Sequence, residues 1–150
     1  AARPVTAFEP SAIHERTRCT MALPITGLYG AFHALFDVAL AANVPRLRGK
    51  TNVFLGTGDS EDLLTAVRRH GNHAEYVALA LFLLSLCELH GAGMTALHVI
   101  GGAFTLGRIA HAIGVGIKPS GPRAVGALLT WLSIAGAGVY GAILAFSAAR

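Results

Sequence analysis

The sequence predicts an all-α membrane protein, a bundle of four spanning helices in a single domain of 150 residues. Three observations lead there. Apolar residues make up 53% of the chain and charged residues only 13%, with a mean hydropathy of +0.56. A water-soluble domain carries about a quarter charged residues, so much of this surface must face another solvent. The apolar residues also fall into four runs, each long enough to cross a hydrocarbon core of ~30 Å. Finally, the basic residues gather mainly in two of the breaks between those runs.

The net charge of +4 does not point to nucleic acid. The arginines form no continuous face interleaved with aromatics, and the positive-inside rule already accounts for their placement beside apolar runs. Cys19 and Cys87 form no CxxC pair, so neither a disulfide nor a metal framework is expected.

Residues 1–20 read as a polar leader, without the apolar run that a secretory signal needs. Met21 then resembles a natural start. The leader is expected to be disordered, or an upstream extension, and to carry no function. The first span covers 22–44, and Pro45 is expected to end it. His33 and Asp37 lie four residues apart on one face of that helix. A carboxylate in lipid needs a partner, so the two are expected to pair with each other. A loop over 46–58 follows, carrying Arg46, Arg48 and Lys50. Its Gly56-Thr57-Gly58 lacks the remaining residues of a phosphate loop and reads as a turn.

Asp59 or Ser60 caps the second helix, with Glu61 and Asp62 complementing its dipole. The helix continues to His90, about 30 residues or roughly 45 Å, so its first three turns must project into the cytosol. There Arg68, Asn72, Glu75 and Tyr76 share one face. His70 and His73 are three apart, but the Glu-x-x-His pattern of carboxylate metal bundles is missing and no metal site is expected. Glu88 and His90 are expected to end the helix in water on the far side.

A Gly91–Gly93 turn leads to the third helix, 94–116, which carries Arg108 and His111 near its end. Lys118, Pro119, Gly121 and Pro122 read as a short loop. The fourth helix, 123–148, opens on Arg123, and its Trp131 suits either packing or the lipid-side wall of a groove. Small residues four apart, as at Gly30 and Ala34, Ala137 and Gly141, or Gly138 and Ala142, permit close helix contact. The breaks after the first and third helices are basic and the one between is not, which places the basic loops in the cytoplasm.

In an antiparallel pair, the start of the second helix lies level with the end of the third. Arg68, Asn72, Glu75, Tyr76, Arg108, His111 and Arg123 then meet at one depth. Guanidinium groups there would clamp the carboxylates of a small anionic or zwitterionic ligand. The alternative is that Arg68 and Arg108 merely neutralise Glu75. A transporter would need charges lining a path at the midplane, where only His33 and Asp37 come near.

RRHGNHAEY at 68–76, followed by an apolar run and GRIAHAIG at 107–114, resembles the MAPEG superfamily, the membrane-associated proteins in eicosanoid and glutathione metabolism. It looks most like the small bacterial members with an RxHGNxxEY helix, and the resemblance covers about 21–147. It implies a homotrimer of four-helix bundles in a bacterial inner membrane, with glutathione bound between protomers on the cytoplasmic side. Glutathione would then be the cosubstrate for a transferase or peroxidase acting on small hydrophobic electrophiles from the lipid. The alternative is a non-catalytic ligand-binding member of the same fold. By that resemblance Arg68, Asn72, Glu75, Tyr76 and His70 hold glutathione from the second helix, and Arg108 and His111 match an RxxH on the third. Arg46 or Arg48 reaches in from the first. Arg123 is the catalytic residue that lowers the thiol pKa. The chain departs from the family pattern at Val115, where many members have tyrosine. It also departs at Ala124, which stands for the serine of the prostaglandin-synthase branch.

Overall fold

The computed structural model describes residues 22–117 and 120–150; the expectations for residues 1–20, Lys118 and Pro119 lie outside them. Four helices follow one another: α1 (Pro24–Thr51), α2 (Glu61–Leu89), α3 (Met94–Gly114) and α4 (Gly121–Ala148). Each is long and apolar enough to cross a membrane. Exposed Leu35, Phe82, Val99, Leu132 and Phe146 give the bundle the apolar exterior that lipid requires.

The first helix corrects two expectations. Pro45 does not end it, and Arg46, Arg48 and Lys50 lie in its last turns rather than in a loop. A proline within a helix forfeits one backbone bond and crowds the preceding turn, which costs about 3 kcal/mol or more. Here the following turns compensate. Arg48 donates from Nη1 to the carbonyls of Val53 and Gly56, at 3.1 and 2.9 Å, and Asn52 closes the helix in the left-handed region. The other end of α1 is also held from outside. The Glu88 carboxylate of α2 accepts from the backbone N–H groups of Ile25 and Thr26, at 2.9 and 2.8 Å. Glu88 therefore caps a helix N-terminus instead of ending its own helix in water.

Ser60 caps α2, its hydroxyl accepting from the Leu63 N–H at 3.2 Å, with Glu61 and Asp62 in the first turn. Gly56 and Gly58 both take positive φ, as a turn there demands.

Helices α2 and α3 each touch all three others, while α1 and α4 do not touch each other. The tightest contact is between α3 and α4, and glycine makes it possible. A Cβ on Gly107 would lie 3.0 Å from both Leu129 Cβ and the Thr130 nitrogen, and one on Gly126 would lie 2.6 Å from the Gly107 carbonyl. The small-residue spacing noted in α1 and α4 thus points to a weaker seam than the one that forms. Gly141, beside Cys87 Sγ at 3.4 Å, and buried Ala137 lie where α4 meets α2, together with Tyr140 and Leu144. Around Leu84, Cys87 and Leu97 an apolar core fills the far half of the bundle. Asn72, Tyr76, Arg108 and His111 lie in the half nearest the basic loops.

Candidate functional site

Antiparallel α2 and α3 set Asn72 and Tyr76 level with Arg108 and His111, and the close α3–α4 seam brings the first turns of α4 to the same depth. One cleft results, lined by Asn72, Tyr76, Arg108, His111, Arg123, Ala127, Thr130 and Trp131, with a volume of about 230 Å³.

Arg108 is its centre. The residue is 1% exposed, yet among the described residues no carboxylate lies within ion-pair reach of it. Nη2 donates to Asn72 Oδ1 at 2.7 Å and Nη1 to Thr130 Oγ1 at 3.4 Å. Both partners are neutral. The guanidinium carbon sits 5.5 Å from the centre of the Tyr76 ring, and Nε has no partner among the described residues. A buried cation ordinarily costs several kcal/mol unless a counter-charge offsets it. Here only an amide, a hydroxyl and a ring face are offered. His111 is also buried and leaves Nδ1 unpartnered. Arg123 is exposed at the mouth of the cleft. Positive and hydrogen-bonding side chains thus converge on one cleft.

The α2 stripe divides. Asn72 and Tyr76 turn into the cleft, whereas Arg68 and Glu75 are exposed and outside its lining. Neither Arg68–Glu75 nor Arg108–Glu75 forms an ion pair, so the neutralised-bundle alternative does not describe this arrangement. The guanidinium that joins α2 to α3 is Arg69. Its Nε and Nη2 donate to the Val115 carbonyl at 3.2 and 2.7 Å, closing the C-terminal end of α3. Arg48 is turned back on its own loop, as described, and Arg46 reaches only Asn43 Oδ1, at 3.4 Å. His70 faces α1, with Nε2 3.6 Å from Asp37 Oδ1. Neither Arg48 nor His70 lines the cleft in this chain.

That contact also corrects the expected His33–Asp37 pair. Asp37 sits at a partly open edge and reaches across to α2, while His33 is turned into the interior. There its Nε2 lies 3.1 Å from Thr105 Oγ1, and its ring packs on His73 and Phe104, with centroids 5.3 and 5.1 Å away. Spacing of four residues makes contact available but does not compel it. Among the described residues, no group of three or more histidine, cysteine or carboxylate side chains is placed to hold a metal.

Two contributors carry little signal in the sequence. Thr130, 1% exposed, accepts from Arg108 while donating to the Gly126 carbonyl at 2.8 Å. Trp131 donates from Nε1 to Tyr76 Oη at 3.3 Å. Of its two sequence alternatives, the wall of a groove is the one the structure matches. A cue for both exists only in retrospect: they lie seven and eight residues after Arg123, so they return to its face of α4.

A family model described as the MAPEG family matches residues 26–143. The chain is 31% identical over 110 residues to the inner membrane protein YecN of Escherichia coli strain K12, a match that covers 73% of this chain and 84% of the relative. YecN of Escherichia coli O6:H1 strain CFT073 matches with the same identity and coverage. Four helices able to span a bilayer, together with these inner-membrane relatives, make the chain a multi-pass integral protein of the inner membrane.

Proposed function

The chain belongs to the MAPEG family, and we propose that it is a glutathione-dependent membrane protein, a glutathione transferase or peroxidase for hydrophobic electrophiles that reach it through the bilayer. The observation that carries this is Arg108: a buried guanidinium with neutral partners and an unpartnered Nε, facing a cleft of the same protein.

Glutathione fits such a site because it is a tripeptide with two carboxylates, one amine and one thiol. Arg108 would hold a carboxylate through a charge-assisted bond. Asn72 and the Tyr76 hydroxyl would meet peptide groups, and the buried His111 would face the ligand beside them. When bound, glutathione supplies the thiol that carries the chemistry. Arg123, the cation at the mouth of the cleft, would stabilise the thiolate form, which is the nucleophile. In conjugation, sulfur bonds to an electrophilic carbon, the leaving group departs with the bonding pair, and the thiol proton passes to water. In peroxide reduction, two glutathione molecules become the disulfide while the peroxide becomes an alcohol and water.

The cleft of one chain, about 230 Å³, is smaller than the ~300–1,000 Å³ typical of small-molecule sites. Arg68 and Glu75 remain exposed beside it. Both features suit a homotrimer in which a neighbouring copy closes the site and brings these two residues to the ligand. The basic end of α1 and the first turns of α2 would then face the cytoplasm.

A non-catalytic binding protein with the same pocket is the second reading, since Arg108, Asn72 and Tyr76 would hold glutathione whether or not turnover follows; Val115 and Ala124 count only against an eicosanoid isomerase. Conjugation of a generic aryl halide by purified protein, with and without Arg123→Ala, separates the two. Turnover that Arg123→Ala slows supports the enzyme. Saturable glutathione binding without turnover supports the binding protein, and no binding removes both.

A further inference from the structure

The cleft lining is polar except at Ala127 and Trp131, so an apolar co-substrate has one large apolar surface to rest on. Trp131 is 57% exposed, and its helix neighbours Leu128 and Leu132 are exposed on the same lipid-facing side. Tryptophan at a membrane boundary usually points its N–H to headgroups and water. Here the N–H points inward, to Tyr76 Oη at 3.3 Å, and the Tyr76 ring in turn lies under Arg108. The indole plane is thereby fixed relative to the anion-holding group, while the ring stays open to the bilayer. Building on the glutathione reading, we propose that Trp131 is the docking wall for the electrophile and selects planar, conjugated, electron-poor acceptors over saturated ones. An indole is a flat, electron-rich surface, and offset stacking adds to simple area burial by an amount worth roughly 2- to 10-fold in affinity. A saturated chain gains only the area term. Trp131 is accordingly a specificity residue of the cleft, distinct from the groups that hold the thiol partner.

Trp131 is the chain's one tryptophan, so intrinsic tryptophan emission reports this position alone. The test is a titration of the purified full chain in detergent, without glutathione, with 1,3-dinitrobenzene, which is planar, electron-poor and has no activated leaving group. A spanning peptide with a single tryptophan in the same micelles is the control. Saturable quenching of the protein against linear quenching of the peptide is expected; linear quenching of both overturns the docking wall. Beside it, kcat and KM are measured for an aryl halide and an alkyl halide. Trp131→Leu should raise KM for the aryl substrate roughly 2- to 10-fold more than for the alkyl substrate, and Trp131→Phe should retain the preference. An equal fall for both substrates, or loss of the preference in Trp131→Phe alone, contradicts it. Saturable quenching in a protein without turnover ends the transferase reading while the docking wall stands. Turnover with linear quenching does the reverse.

Discussion

Arg108→Met separates a ligand-holding cation from a structural one. The guanidinium is almost wholly buried, and among the described residues no carboxylate lies within ion-pair reach of it. Its removal relieves a desolvation cost of several kcal/mol. Lost with it are hydrogen bonds to Asn72 and Thr130, of a kind worth ~1.5–3 kcal/mol each. Little is left stranded, because Thr130 still donates to the Gly126 carbonyl and half-buried Asn72 faces the open cleft. The opposing effects nearly cancel, so the ligand-free variant should unfold within about 2 kcal/mol of the parent. Ligand binding should respond differently. Truncating one side of a buried charged contact costs ~2–5 kcal/mol, which weakens glutathione at least about 30-fold. Thermal unfolding in detergent, with and without glutathione, measures both. At a concentration near 100 times its Kd, glutathione should stabilise the parent by ~2.7 kcal/mol and the variant by under about 1 kcal/mol. A variant that is strongly destabilised without ligand, yet gains as much from glutathione as the parent, would refute this account of Arg108.

Other substitutions probe the frame and the chemistry. Arg123→Ala should lower the conjugation rate roughly 3- to 10-fold for each unit by which the thiol pKa rises, because the thiolate fraction falls while its nucleophilicity grows, and the glutathione dissociation constant from calorimetry should change only a few-fold. Gly126→Ala drives a methyl group against the His111 backbone and the Gly107 carbonyl. It should cost ~1–3 kcal/mol in resistance to unfolding by a denaturing detergent. Glu88→Ala leaves the Ile25 and Thr26 N–H groups without their acceptor. A loss of about 1–2 kcal/mol and faster hydrogen exchange confined to the start of α1 are expected. Ser60→Ala should remove ~1 kcal/mol and expose the first turn of α2 in the same measurement.

The bundle was legible in the sequence because lipid leaves few options: backbone groups must be satisfied within the segment, so apolar runs of that length become helices. The depth of the site was legible for a similar reason, since antiparallel connectivity alone levels Asn72 and Tyr76 with Arg108 and His111. Rotation was not. Periodicity put Arg68, Asn72, Glu75 and Tyr76 on one stripe, but a stripe is broader than a cleft, and only its Asn72–Tyr76 side turns inward. Partner choice was equally hidden. Asp37 had His33 within reach on its own helix and instead lies nearest His70 on α2, while His33 turns to Thr105. Pro45 shows the limit of local rules, because the helix continues past it to Thr51 despite a cost near 3 kcal/mol. Glu88 had no local signal for capping α1, since its acceptors' partners lie 62 and 63 residues away in the chain.

Calorimetric titration of glutathione into the purified protein bears on all of this at once. Saturable heat with the parent, lost in Arg108→Met and retained in Arg123→Ala, is the predicted result. Absence of heat with the parent, or equal binding by Arg108→Met, would contradict the assignment of the cleft to glutathione.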